Sequence, residues 1–409
     1  MKIQKIIVKF FLGMRYCFLK ILTFVLFKNT EKPNPKVILV FRTCLLGDFL
    51  FALPSLSILK KKFPHAKLIF VTTSQGSSSI KTAAKKYLNN SSSMPWMNFV
   101  VPSIIDEVVI IPKFTKANIF LIRKKINNLD PDISFLLPHP GEPFLGLFKK
   151  ILFLKLIGVK SNFHGWKVKG DYTFFRDAQQ ELGYFGHKIQ GPLRAIYESV
   201  LIDKINTKDI DFPIQISTES TNWVDNLFVG QDKKSLKIGI SMGSIQDHKQ
   251  WSSTNFHELS KYLDKKYSVS LFLTGTTNDI GLSKDFSHKG FKRPIIDLIG
   301  KTDINQLAAL FKKLDIVVSN DGGSAHLAAS VGCKVVSIIS GIEHPFSIDP
   351  WGNFKYSVYH KTKCSPCYSM TFCPEGHKAC MRDLSIFSVI NKVNLAIADL
   401  QSVDDNVMN

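Results

Sequence analysis

Acidic residues are scarce in this chain of 409 residues: 33 Asp and Glu stand against 53 Lys and Arg, a formal net charge of +20. A surplus of that size favours anionic partners such as phospholipid, nucleic acid or acidic glycolipid. Lysine supplies most of it and is spread along the whole chain, so part of the surplus is solvated surface. Other signatures are missing too. No G-x-G-x-x-G follows the first apolar strand, which argues against a Rossmann dehydrogenase. No RNA-binding motif and no interleaving of aromatic with basic residues is present, which argues against a nucleic-acid partner. Cysteine totals 7, with Cys17, Cys44 and Cys333 scattered and read as small buried hydrophobes. That is no disulfide-built secreted scaffold. The N-terminal segment lacks the charge-free core and small-residue cleavage site of a secretory signal. Its longest uncharged run, residues 21–27, is far too short to span a bilayer.

What is present is ample apolar material, 45% of the chain, enough for two α/β domains and some extras. Residues 1–32 read as an amphipathic basic helix with Lys5, Lys9, Arg15 and Lys20 at short intervals. Such a helix suits a membrane interface, its basic residues facing lipid headgroups. The plainer reading is a terminal helix packed on the protein's own surface. A polar, proline-bearing linker follows, and a first domain is expected over 36–215.

That domain opens on Val37-Ile38-Leu39-Val40-Phe41, an apolar run of the buried-strand type. A helix follows through Leu50, Leu53, Leu56 and Leu59. Strands are expected at 68–71, 108–111 and 133–137, with a helix at 118–128 and another at 191–202. The βαβα alternation predicts a parallel sheet covered on both faces. A loop is expected at 89–93, and 161–176 has no clear pattern. A second alternation begins at Leu236, with strands at 269–273, 316–318 and 335–339, and defines a domain over 216–385. A helix and tail close the chain at 386–409.

Four patches carry chemistry. After the first strand, Gly47 permits close approach of a ligand and Asp48 stands at a helix N-terminus. The helix dipole favours its ionised form, so it can accept a proton from a hydroxyl, unless it serves only as a cap. After the strand at 236–240, Gly243 and Ser244 offer phosphate contacts and Lys249 a point charge, while Trp251 reads as core. The run at 315–332 passes from Ile316-Val317-Val318 through a polar turn over 319–324 into a helix at Ala325. Paired glycines Gly322 and Gly323 there leave backbone N–H groups at a helix start, a diphosphate-type site, with Asp321 at the strand's carboxyl end. The fourth patch is Cys364, Cys367, Cys373 and Cys380, with His377 among them. Four such thiols suit tetrahedral zinc or iron, a disulfide pair, or four free thiols. Asp130-Pro131-Asp132 and Asp209-Ile210-Asp211 have the D-x-D form of metal-dependent glycosyltransferases, but beside proline and strands they read as turn residues.

Together these patches resemble glycosyltransferase family 9, the heptosyltransferases of lipopolysaccharide core assembly. The stretch VILVFRTCLLGD carries the R-x-x-x-x-G-D signature; HKQW resembles a K-x-W site; SNDGGSAHLAASVG resembles the nucleotide-sugar loop; CSPCY, CPEGH and CMRDLS resemble a C-terminal pattern. The resemblance covers most of 36–397. It implies a GT-B fold, two doubly wound parallel-sheet, Rossmann-like domains facing across a cleft. The acceptor would bind the first domain and the donor, ADP-heptose, the second. Transfer would be inverting and would need no metal or other catalytic cofactor. Asp48 corresponds to the general base, Ser244 and Lys249 to donor phosphate contacts, and Asp321 to a donor-sugar contact. Gly322, Gly323, Ser324, Ala325 and His326 correspond to the diphosphate loop. The implied partners are a nucleotide sugar, an anionic glycolipid acceptor and an anionic membrane surface, with no nucleic acid. The implied location is the cytoplasmic face of the inner membrane, held peripherally. Some relatives instead glycosylate secreted adhesins and carry a four-cysteine iron site. The sequence departs from the commoner pattern at Ala325, where many members have a bulkier apolar residue before the His, so the donor pocket is expected to be wider there.

Overall fold

The computed structural model describes residues 2–27, 34–43, 45–73, 103–111, 116–139, 144–160, 162–165, 187–197, 210–286, 288–369 and 371–408. The expected loop at 89–93, most of 161–176, Cys44 and Asp209 lie outside the described residues. The chain divides into two compact units, Met1–Gln215 and Ile216–Asn409.

The first unit is built on strands β1 (Val37–Phe41), β2 (Lys67–Thr73), β3 (Glu107–Ile111), β4 (Ile133–Leu136) and β5 (Phe163–His164). They form one sheet in the order β3-β2-β1-β4-β5, and every pairing is parallel. Parallel strands covered on both faces need apolar residues at every position, which is why β1 reads VILVF without alternation. Asp132 ties β4 to the start of β1, its carboxylate accepting from the backbone N–H groups of Lys36 and Val37 at 2.7 and 3.0 Å. Helices α1 (Lys2–Leu26), α3 (Lys116–Leu129) and α4 (Phe144–Leu156) share one core with Leu39, Phe41, Ile69 and Val71. Helix α1 enters it through Leu19, with Thr23 and Phe27 buried at the same four-residue interval. Helix α2 (Leu46–Lys62) covers the opposite face, where Phe49 meets Phe70 edge-on, and α5 (Gln190–Tyr197) packs beside it. Cys17 is exposed on α1 rather than buried, because the inward positions of that helix are taken by Leu19 and Thr23.

The second unit carries α6 (Thr218–Leu227), β6 (Leu236–Ser241), α7 (Ser253–Lys266), β7 (Val269–Thr274), α8 (Ile280–Asp285), β8 (Ile296–Asp297), α9 (Ile304–Lys313), β9 (Ile316–Asn320), α10 (Gly323–Ser330), β10 (Lys334–Ile339), β11 (Val358–Tyr359), α11 (Ala379–Arg382) and α12 (Ile386–Met408). Its parallel sheet runs β11-β10-β9-β6-β7-β8. Helices α6, α7 and α9 start on side-chain caps from Ser217, Ser252 and Asp303. Helix α12 packs Val389, Val393, Ala396 and Ile397 into the core. Trp251 is buried there as expected, with its indole N–H donating to the Leu384 carbonyl at 3.1 Å.

A second expectation fails in detail. Ser319 and Asn320 were placed in a turn, but they are the last two residues of β9, and α10 begins at Gly323 rather than Ala325. Both polar side chains are fully enclosed and have bonding work to do. Asn320 accepts from Trp251 N–H at 3.0 Å and donates to the Met242 carbonyl at 2.5 Å, pinning the loop after β6 to the end of β9. Asn320→Ala leaves both backbone groups buried without this partner. We expect a loss of about 2–4 kcal/mol, read as a lower urea midpoint with an unchanged slope.

Candidate functional site

In each sheet two neighbouring strands send the chain off in opposite directions, and their following loops diverge to leave a crevice at the carboxyl edge. In the second unit those strands are β6 and β9. Ser244 and Lys249 stand on the loop after β6, Asp321 to His326 on the loop after β9. The crevice brings the two loops into contact: Lys249 Nζ lies 2.8 Å from Asp321 Oδ2, with 12% and 6% of the two side chains exposed. His326 Nε2 is 3.9 Å from Asp321 Oδ1. A Cβ on Gly243 of the first loop would meet the Asp279 carboxylate, which would have to shift to admit it.

Gly322 is the N-cap of α10 in an extended conformation, and no side chain caps the helix. N–H groups at a helix start of this kind can receive an anion. Gly322, Gly323 and Ser324 are partly open, whereas Ala325 is fully buried and His326 nearly so. Ala325 therefore does not line an opening, and the wider pocket expected from its small side chain is not seen. Its Cβ faces the core because it sits in the first inward turn of the helix. Ser244 is half-buried, and its carbonyl accepts from the Gln250 side chain at 2.9 Å.

In the first unit the diverging strands are β1 and β4. Asp48 lies in the first turn of α2, after β1, and is not its cap, which is Leu45. His139 follows β4, and its Nδ1 is 3.5 Å from Asp48 Oδ1. The other ring nitrogen, Nε2, contacts the Thr43 carbonyl and lies 3.3 Å from the Thr43 hydroxyl. Arg42 is fully buried below and donates to the carbonyls of Leu137 and Pro138 at 3.3 and 3.0 Å, fastening the segment that carries His139. Burial by itself would push the Asp48 carboxyl up. The hydrogen bond and charge of His139, backed by Arg42 and Lys188, reverse this and hold it well below the ordinary carboxylate range.

None of the four clustered cysteines is in a disulfide, and all are partly buried. Burial pushes the Cys380 thiol up, and the sulfurs of Cys367, Cys364 and Cys373 add to the effect, so the four lie within electrostatic reach of one another. Among the described residues no three Cys, His, Asp or Glu side chains converge tightly enough to hold a metal ion. The segment does brace the crevice. Cys367 and Tyr368 N–H groups donate to the Gly341 and Ile342 carbonyls after β10, and Lys378 pairs with Asp247 at 2.7 Å.

Several residues of these sites were not singled out from sequence. His139 was missed because it lies about 90 residues along the chain from Asp48. Asking which polar residue follows each strand of a parallel sheet would have found it. The loop after β10 adds Asp349, fully buried, which accepts from the Tyr359 hydroxyl; burial pushes its carboxyl up. That same hydroxyl accepts from the N–H of Phe346, an exposed aromatic held at φ 69°. A non-glycine residue in that region is strained, and such residues gather at ligand sites.

Lys249→Met removes the cation from a buried carboxylate. We expect a cost of about 3 kcal/mol, measured by urea denaturation, with part of it recovered in Lys249→Met/Asp321→Asn.

Comparison with known proteins identifies the family and the fold. The profile of glycosyltransferase family 9 (heptosyltransferase) matches residues 164–378. Lipooligosaccharide heptosyltransferase 2 of Campylobacter jejuni is 25% identical over 350 residues, covering 85% of this chain and 94% of that protein. The crystal structure of a family 9 glycosyl transferase from Veillonella parvula superposes with a TM-score of 0.63 at 17% identity, covering 91% of this chain and 100% of that one. The ADP-heptose lipopolysaccharide heptosyltransferase II of E. coli gives a TM-score of 0.61 at 15% identity, covering 90% and 99%. The fold is GT-B, and the chain belongs to glycosyltransferase family 9.

Proposed function

We propose that this enzyme is an inverting heptosyltransferase that moves heptose from ADP-heptose to a lipopolysaccharide core or related lipid-linked acceptor, with no catalytic metal. The observation that carries this reading is the Lys249–Asp321 pair beside the uncapped start of α10 at a switch point. Backbone N–H groups of Gly322, Gly323 and Ser324, with Ser244 and Lys249, take the diphosphate. These donors and the lysine charge balance the negative charge that builds on the leaving ADP. Asp321, freed in part as Lys249 turns to phosphate, accepts from a hydroxyl of the donor sugar. His326 steadies Asp321.

Asp48 takes the proton from the acceptor hydroxyl. The new bond forms between that oxygen and the anomeric carbon while the bond from that carbon to the phosphate oxygen breaks, and ADP leaves with the electron pair. Attack opposite the leaving group inverts the centre. His139 holds Asp48 ionised and aimed, so the carboxylate accepts the proton only as the new bond develops. Cys364, Cys367, Cys373 and Cys380 are soft sulfur donors that would suit a structural zinc or iron once drawn closer together than they stand here. Such an ion would cross-link the segment bracing the loops after β6 and β10. The acceptor is an anionic glycolipid at the cytoplasmic face of the inner membrane.

The test is binding and turnover across nucleotide sugars with a lipopolysaccharide-core acceptor. ADP-heptose is expected to be preferred over ADP-glucose by about tenfold or more in kcat/KM, and another preferred sugar would refute the donor assignment. His139→Gln removes the charge facing Asp48. Since the carboxyl is depressed in the wild type, its activity is expected to persist to low pH. The variant's acid limb should move up toward about 3.9, the ordinary Asp value, and a limb that stays put would show that His139 does not hold Asp48 ionised.

A further inference from the structure

We infer that the outer face formed by α1, α4 and α3 together is a docking surface for an anionic phospholipid bilayer. This deepens the reading of the acceptor as lipid-linked and rests on it. The three helices lie on one side of the first sheet, all anchored in the same core. They are contiguous. Phe18 of α1 packs on Phe144 and Phe148 of α4, and the turn ending α4 at Gly158 lies against Asn127 and Arg123 of α3.

Two features set this face apart. First, none of the three helices contains an Asp or Glu, whereas each carries at least three Lys or Arg. Lys125 of α3 pairs with Glu107 of β3, at the margin of the face. Second, the face displays large apolar side chains: Ile21 is 64% and Phe24 79% exposed on α1, Phe120 69% on α3, and Leu152 and Leu156 are open on α4. Among the described residues of this unit, every exposed large hydrophobic except Leu45 lies on these three helices. Helix α2, on the opposite face of the sheet, shows none.

Charge selects the occupant. A second copy of this face would bring cations against cations. A nucleic acid would satisfy the lysines but leave the Phe, Ile and Leu side chains in water. An anionic bilayer satisfies both, with basic residues at the headgroups and apolar ones below them. No helix among the described residues is long and apolar enough to cross a membrane, so the contact is made along the surface. The placement also serves the chemistry. Helix α4 opens at Phe144, shortly after His139, at the carboxyl edge of the sheet where Asp48 stands. A lipid docked on this face presents its headgroup sugars to that edge.

The experiment is flotation of the full chain with vesicles of phosphatidylcholine alone and of phosphatidylcholine with phosphatidylglycerol. Binding is expected to the anionic vesicles only and to weaken as salt rises. Ile21→Ser/Phe24→Ser and, separately, Leu152→Ser/Leu156→Ser should each lower partitioning by about tenfold. Turnover on a detergent-dispersed acceptor should stay within about twofold in both variants, so loss of docking and loss of the enzymatic reading are separate results. Full partitioning of the α4 variant would overturn the composite face in favour of α1 alone. Binding of single-stranded nucleic acid without binding to anionic vesicles would overturn the proposal outright.

Discussion

Everything chemical in this protein depends on the divergence of two neighbouring strands in each parallel sheet. Where winding reverses, between β1 and β4 and again between β6 and β9, no crossover fills the carboxyl edge. The loops there must satisfy their polar groups without a covering helix. Each crevice does so with a carboxylate and a cation-capable partner drawn from the two strands, Asp48 with His139 and Asp321 with Lys249. Buried Arg42 and Asn320 hold the loops beneath these pairs. The sheets position the pairs, and the pairs define what the loops can bind.

The two pairs differ in the task their electrostatics permit. Asp48 is kept ionised against its burial by His139, Arg42 and Lys188, which suits a group that must be deprotonated when a hydroxyl arrives. Lys249 is held by Asp321 at short range, so under the proposed function the donor diphosphate would compete with that carboxylate for the lysine. Exchange of one anion for another leaves the buried cation paired throughout, which avoids the cost of an unpaired charge. Part of the surplus of basic residues lies elsewhere, on helices α1, α3 and α4 of the first unit, which carry no Asp or Glu.

Much of the architecture is legible in the chain because parallel strands are continuous apolar runs. Val37 to Phe41, the 68–71 run and the 316–318 run all read correctly for that reason. Polarity misled at Ser319 and Asn320, which end a strand yet carry side chains that bond inward. Helix α4 escaped notice because FLGLFKKILFLKL is apolar nearly all round, so its period is weak. Cys17 was misplaced for the related reason that α1 is apolar on its outer side as well. Asp48 and the Asp321 loop could be found as local motifs. The partnership of Asp48 with His139 could not, since it arises only when β1 and β4 pair. Gly243 likewise looks like a phosphate glycine, and only the fold reveals that Asp279 fills the space beside it.

The central claim is a division of labour, with proton acceptance in the first unit and donor binding in the second. A crossed measurement of donor affinity and turnover in Asp48→Asn and Lys249→Ala addresses it directly. The account predicts that Asp48→Asn keeps donor affinity within about twofold while turnover falls by about a thousandfold, and that Lys249→Ala weakens donor affinity by about tenfold or more. Retained turnover in Asp48→Asn, or undiminished donor binding in Lys249→Ala, would contradict it.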